Sequence, residues 1–357
     1  MGTYHNGSVQ KLRAQSLSTS RRQLPAETTM RNYAGGRGPV LARFARPTGR
    51  STTFAVVADP HVTATAEGTW KVFHRTVARF RTALDNADRL DVDAVVATGD
   101  LTKDGTPAEF ERVDALLADR DVPFVAVPGN HDVPKAADEH DTPPVERFVR
   151  QYSPGRLPTV VRIGGVDLVM LDSATAPDGS LVDTHEGALS AAQLEWLDTT
   201  LAEVESPVVV THHPVGAISE GIDALAPSSH YRLRNADAVA DVLATHDAPL
   251  VVSGHVHWPA VVDTGTARQV IAPATCSFPQ AALLVHVEPR GTTVSLLPLA
   301  DRRGLEEAHR HARRGGDRAA AFVATADDGY FRELPLIDEA TDATALRPRD
   351  PPVRPPS

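Results

Sequence analysis

Along the middle of the chain, short β-branched runs alternate with stretches whose apolar residues recur every three or four positions. The runs lie at residues 53–58, 94–98, 124–127, 166–171, 208–211 and 250–253. Between them, Phe73, Val77, Phe80, Leu84 and Ala87 mark one helical face; Phe110, Val113, Leu116 and Leu117 mark another. Ser190 and Gln193 form a capping box that opens a third helix through Leu194, Leu197 and Leu201. Residues 236–245 read as a fourth. Strands alternating with helices predict an α/β fold with largely parallel pairing. From residue 260 to 299 the helical spacing stops, and 270–271, 283–287 and 293–297 read as strands of a second sheet. Residues 1–29 have little hydrophobic periodicity and are expected to form a flexible tail, with Met30 a second candidate start. The Pro-rich end, residues 347–357, is expected to be loose.

Five of the strand runs end in polar clusters. These are Asp59-Pro60-His61, Gly99-Asp100, Gly129-Asn130-His131-Asp132, His212-His213-Pro214 and Gly254-His255-Val256-His257. Sites in open α/β sheets form beyond the carboxyl ends of strands, so the five clusters should converge on one edge. Oxygen and imidazole donors suit Fe, Mn or Zn, and the lack of thiolates among them disfavours iron–sulfur or structural zinc sites. A carboxylate can bridge two ions about 3.5–4 Å apart, the spacing of two-metal hydrolases. Surplus positive charge there would attract a phosphate. Any single cluster could instead cap a helix or shape a turn; five in succession make that reading strained.

Composition narrows the setting. A chain of 357 residues that is 41% apolar can bury a full core. The single cysteine, Cys276, excludes an intramolecular disulfide and fits a reducing cytoplasm. No run approaches the roughly 18 apolar residues of a bilayer span, and the first thirty residues carry no secretory signal, so a cytoplasmic protein without a membrane partner is expected. The formal charge of −10 is uneven, with +8 over residues 1–50 and −17 over residues 51–300. An acidic middle disfavours nucleic acid as a partner, since polymers need Lys and Arg against their phosphates. A small phosphate ester drawn to a local metal charge remains compatible.

In this order, D-x-H, GD, GNHD, HHP and GHVH resemble the motif set of the calcineurin-like metallophosphoesterase superfamily. With residues 274–279 they are most similar to its cyclic-nucleotide phosphodiesterase and glycerophosphodiesterase branch. The resemblance implies a four-layer αββα sandwich of two mixed sheets flanked by helices. The resemblance spans roughly residues 53–299 and marks a metallophosphoesterase domain over 51–300; charge and periodicity set a flexible basic extension over 1–50 before it and a C-terminal extension over 301–357 with a Pro-rich loose tail after it. It also implies two divalent or mixed-valence ions, Mn, Fe or Zn. One would take Asp59, His61, Asp100 and His257; the other would take Asp100, Asn130, His212 and His255. His131 would be catalytic, beside the metal-bound phosphate, and a hydroxide bridging the metals would attack phosphorus. Asn130 and His131 would line the substrate, while His213 reads either as a third substrate-lining residue or as a structural one beside Pro214. Lys103 and Asp104 stand where the protein phosphatases of the superfamily carry Asp and Arg, which argues against a protein substrate. A repair-type nuclease would share the chemistry but should carry a basic, aromatic-rich groove. A metal-poor binding scaffold would share the fold but should have lost ligands.

Other residues carry blander expectations. Asp132 either orients His131 or caps the following loop. His185 reads as a surface loop residue, with contact to substrate as the lesser reading, and His74 as structural. Trp70 and Trp258 read as packing or pocket wall, with packing favoured for Trp70. Arg302, Arg303, Arg310, Arg313, Arg314 and Arg318 read as an anion site or a solvated helix face among Glu306, Glu307 and Asp317, with the solvated face favoured. Cys276 reads as a buried small residue and not as a nucleophile.

Overall fold

The computed structural model describes residues 38–340 except 184, 217, 219–230 and 266. The tail expected over residues 1–29 and the loose Pro-rich end lie outside the described residues. Two mixed sheets face one another. The first holds Val40–Phe44 (β1), Thr52–Val57 (β2), Ala94–Ala97 (β3) and Phe124–Ala126 (β4). The second holds Thr159–Ile163 (β5), Val166–Met170 (β6), Pro207–Val210 (β7), Leu250–Ser253 (β8), Ala260–Asp263 (β9) and Arg268–Ile271 (β10). Ala281–Glu288 (β11), Gly291–Pro298 (β12) and Ile337–Asp338 (β13) return to the first. The strand orders are β13-β1-β12-β11-β2-β3-β4 and β5-β6-β7-β8-β10-β9.

Alternation along the strands builds the layers, because successive side chains point to opposite faces. On β2, Phe54 and Val56 enter the core between the sheets, with Val96, Leu168, Val210, Val252 and Val285. Ala55 and Val57 face outward into a second cluster. That cluster is closed by Thr76–Arg89 (α1), Pro107–Leu117 (α2) and Val145–Tyr152 (α3), through Phe80, Leu84, Phe110 and Phe148. Burying Phe80 and Leu84 fully contributes roughly 1.5–3 kcal/mol each. Ala191–Leu201 (α4) and Ala236–Thr245 (α5) cover the other sheet through Leu197, Leu201, Val239 and Leu243. The outcome is the expected αββα sandwich. Arg302–Arg313 (α6) and Asp317–Asp328 (α7) add Leu305, Ala308 and Phe322 to the central core.

The structure corrects several expectations. The strands expected to form one second sheet are divided. Residues 281–288 and 291–298 pair antiparallel in the first sheet, in register with β2 and β1, whereas β10 lies parallel to β8. Strands buried on both faces carry no alternation that names their neighbour. The supposed flexible extension over residues 1–50 contains β1, whose Leu41, Ala42 and Phe44 are buried. Residues 301–340 likewise belong to the packed body. The helix whose apolar face was read from Phe73 starts at Thr76, after a single 3-10 turn at Phe73–Arg75. Ser190 does accept from the Gln193 amide (3.1 Å), but the Gln193 side chain bonds Asp172 and does not close the capping box.

Candidate dinuclear metal centre

The loops following β2, β3, β4, β7 and β8 meet at one end of the sandwich. Two of these strands belong to the second sheet, so the site lies across both sheets and not along one edge. Each loop turns sharply, and five expected ligands take left-handed backbone: Asp59, His61, Asp100, His255 and His257, with φ between 44° and 70°. Such conformations cost on the order of 1–3 kcal/mol each and persist where the surroundings impose them. Close approach explains two glycines. A Cβ on Gly99 would sit 2.6 Å from the Gly129 nitrogen, and one on Gly129 would sit 2.2 Å from Asp100 Oδ1.

Two donor sets result. His61 Nε2 lies 3.3 Å from His257 Nε2 and 3.4 Å from Asp100 Oδ2, while His257 Nε2 lies 3.4 Å from Asp59 Oδ1. His212 Nε2 lies 3.1 Å from Asn130 Oδ1, 3.2 Å from His255 Nδ1 and 3.6 Å from Asp100 Oδ1. Asp100 therefore offers one oxygen to each set. Two outer nitrogens are anchored, His212 Nδ1 donating to the Thr98 carbonyl (2.7 Å) and His257 Nδ1 meeting Ser277 Oγ (3.0 Å), whereas His61 Nδ1 and His255 Nε2 meet no partner among the described residues. At His212 the carbonyl fixes the tautomer and turns an unprotonated nitrogen inward, as a metal ligand requires. The Asn130 amide is oriented too. Its nitrogen donates to His185 Nδ1 (2.7 Å), leaving its oxygen toward the second set.

The electrostatics agree with cation sites. Burial, reinforced by the neighbouring Asp59, raises the Asp100 carboxyl to about 7, and burial raises Asp59 also. Burial pushes His61, His212, His255 and His257 below the usual imidazole value, with Lys71 lowering His61 further. Buried carboxylates and neutral imidazoles converge here with Lys71 as the nearest internal cation, and such oxygen and imidazole donors fit two metal ions. Among the described residues, Asp59, Asp100 and His212 place one donor atom each within 4.8 Å of one another.

The remaining expectations divide. His131 donates its backbone N–H to Asp100 Oδ1 (2.8 Å), and its ring lies edge-on to His61 at 4.6 Å. Its Nδ1 bonds the Lys103 carbonyl, and burial, then Lys71 and Lys135, lower its pKa well below the ordinary value. Asp132 does not orient that ring; it accepts from Leu101, Thr102 and Gly129 and ties two ligand loops together. His213 is fully buried, with Nδ1 on Ser173 Oγ (2.9 Å) and Nε2 on the His185 carbonyl (3.0 Å). Both nitrogens are thus engaged by protein, so His213 supports the His185 loop, the structural one of its two readings, and not the substrate-lining one. Cys276 is buried beside His257, and burial raises its thiol pKa, as a structural cysteine requires. His74 joins Glu307 and Arg75 in a surface ion-pair cluster.

Four side chains near the centre carried too little weight in the sequence. His185 stacks on His131 with centroids 5.2 Å apart. Trp70 lies 5.1 Å from the His257 ring, whereas Trp258 is core, stacked on Phe322. Lys71 Nζ reaches within 3.0 Å of His61 Nε2. Arg318 turns inward, unlike the exposed Arg302, Arg303, Arg310, Arg313 and Arg314. A signal existed for Lys71: in a chain with four lysines, Lys71, Lys103 and Lys135 all fall in loops around this site.

Fold and donors together define a class: hydrolases that cleave phosphate esters with a pair of metal ions. The profile of the calcineurin-like phosphoesterase family, Metallophos, matches residues 52–259, and the chain belongs to that family. A probable cyclic nucleotide phosphodiesterase of Synechococcus is 29% identical over 235 residues, 63% of this chain and 84% of its own. The cAMP/cGMP dual specificity phosphodiesterase of Mycobacterium tuberculosis is 27% identical over 292 residues, 74% of this chain and 84% of its own. A solved dimetal phosphatase from Danio rerio shares the fold, with a TM-score of 0.55 at 16% identity. That match covers 70% of this chain and 97% of the other.

Proposed function

We propose that this metallophosphoesterase hydrolyses a small phosphodiester, with a cyclic nucleotide as the first candidate substrate. The observation that carries the chemistry is the sharing of Asp100 between two donor sets. The substrate class is supported by the two phosphodiesterase relatives, each matched over 84% of its length. Asp59, His61, Asp100 and His257 would hold one ion, and Asp100, Asn130, His212 and His255 the other. Mn, Fe and Zn all suit these donors. When bound, such ions supply Lewis-acid charge for phosphate oxygens and lower the pKa of a water.

The chain's own residues do the rest. With Nδ1 held by the Lys103 carbonyl, His131 presents Nε2 to the centre. An anionic phosphate beside it favours its protonated form, and Nε2–H can then donate to the departing oxygen. Asn130 and His131 are the proposed substrate contacts. Among the described residues no helix is long and apolar enough to cross a membrane. The buried free thiol of Cys276 supports a reducing, cytoplasmic setting. The test is a panel of cyclic nucleotides, glycerophosphodiesters and single-stranded DNA, assayed with added Mn. Turnover fastest on a cyclic nucleotide supports the proposal; turnover confined to DNA, or absent throughout, refutes it.

A further inference from the structure

The family match ends at residue 259, yet the metal-ligand loop after β8 is gripped from α7. Arg318 Nη2 donates to the carbonyls of both His255 (2.9 Å) and Val256 (2.5 Å). Its guanidinium lies over the ring of Tyr231 at 4.4 Å and near those of Trp70 (5.6 Å) and Phe322 (5.8 Å). The same helix is anchored to this loop from a second side. Phe322 stacks on Trp258 at 5.2 Å, and beyond the helix Tyr330 donates to the Pro259 carbonyl (2.6 Å).

The loop requires such a donor. His255 and His257 both adopt left-handed backbone, and between them Val256 N bonds Gly254 O, so these carbonyls leave the strand ladder. A buried carbonyl must find a partner, and a planar guanidinium can serve two at once while stacking on aromatic faces. The loop also contributes to both donor sets, His257 to the first and His255 to the second. We propose that Arg318 is a positioning residue of the metal centre, holding the His255–Val256–His257 loop so that one imidazole faces each ion. The catalytic unit then extends into α7, beyond the residues the family defines. This inference rests on the two-metal reading above.

The experiment titrates Mn into the full chain and its Arg318→Ala and Arg318→Lys variants, with no substrate present. Circular dichroism serves as the check of folding. Arg318→Ala should weaken both Mn sites together by about 10–100-fold, the usual loss for a residue that orients ligands. Arg318→Lys keeps the charge and a donor but not the planar fork, and should fall between. If the alanine variant fails to fold, the lysine variant carries the same comparison. At saturating Mn, kcat should drop more than KM rises. Wild-type Mn affinity in a folded Arg318→Ala protein, weakening of one site alone, or a rise in KM with unchanged Mn binding would overturn the proposal. A wild-type chain that binds no Mn would instead overturn the two-metal reading beneath it.

Discussion

Asp100→Asn isolates the charge on which the centre depends. The amide keeps the shape of the carboxylate and can still accept the His131 N–H, bonded at 2.8 Å in the native chain. Burial lifts the Asp100 pKa from 3.8 to about 7, so holding it ionised in the metal-free protein costs roughly 4 kcal/mol above neutrality. The folded value exceeds the unfolded one. The penalty is therefore complete above about pH 7 and disappears below about pH 4, where both states are protonated. Asn carries no such penalty. Chelated Asp100→Asn should melt higher than the chelated native chain by on the order of 10 °C at about pH 8, and by less than half of that at about pH 5. With Mn the order reverses. The variant keeps one neutral oxygen toward the second set and turns an NH2 that cannot ligate toward the first, so both affinities should fall by at least about 100-fold, beyond the loss expected for an outer partner. Thermal melts with and without chelator, at the two pH values, measure both halves. A chelated variant less stable than the native chain at about pH 8, or one that binds Mn equally well, would refute the reasoning.

Three further outcomes are expected. His131→Ala should retain Mn and lose roughly 10²–10⁴-fold in kcat on an alkyl ester but clearly less on a nitrophenyl ester, whose leaving group needs little protonation; equal losses would remove the general-acid role. Mn affinity should decline about tenfold per pH unit below about pH 7, because protons compete at the raised Asp100 while the lowered histidines are already neutral; titrations showing no change down to about pH 5 would contradict this. A chain starting at Met30 keeps β1 and should fold and hydrolyse normally. One starting at Ser51 loses the buried Leu41, Ala42 and Phe44 and bares the β12 edge, so it should be largely insoluble; a soluble, active Ser51 chain would count against that account.

The donor side chains that the structure gathers at this end of the sandwich, the proposed ligands, were legible in the sequence because their geometry has local requirements. A ligand turn at the end of a buried strand needs β-branched residues before it and small residues where backbones touch, as at Gly99 and Gly129. Those requirements leave marks within a few residues, so Asp59, His61, Asp100, Asn130, His212, His255 and His257 stood out. Sheet membership did not, since β11 and β12 are buried on both faces and could pair with either sheet. The surrounding machinery was hidden for another reason. His185 sits in an irregular loop, Lys71 precedes a 3-10 turn, and Arg318 lies more than sixty residues from the carbonyls it holds. In sequence Arg318 looks like its exposed neighbours Arg313 and Arg314; only the packing of α7 against Trp258 turns it inward. Local backbone demands wrote the donors into the chain, whereas the partners that orient them arise from contacts between distant elements, decided by tertiary packing alone.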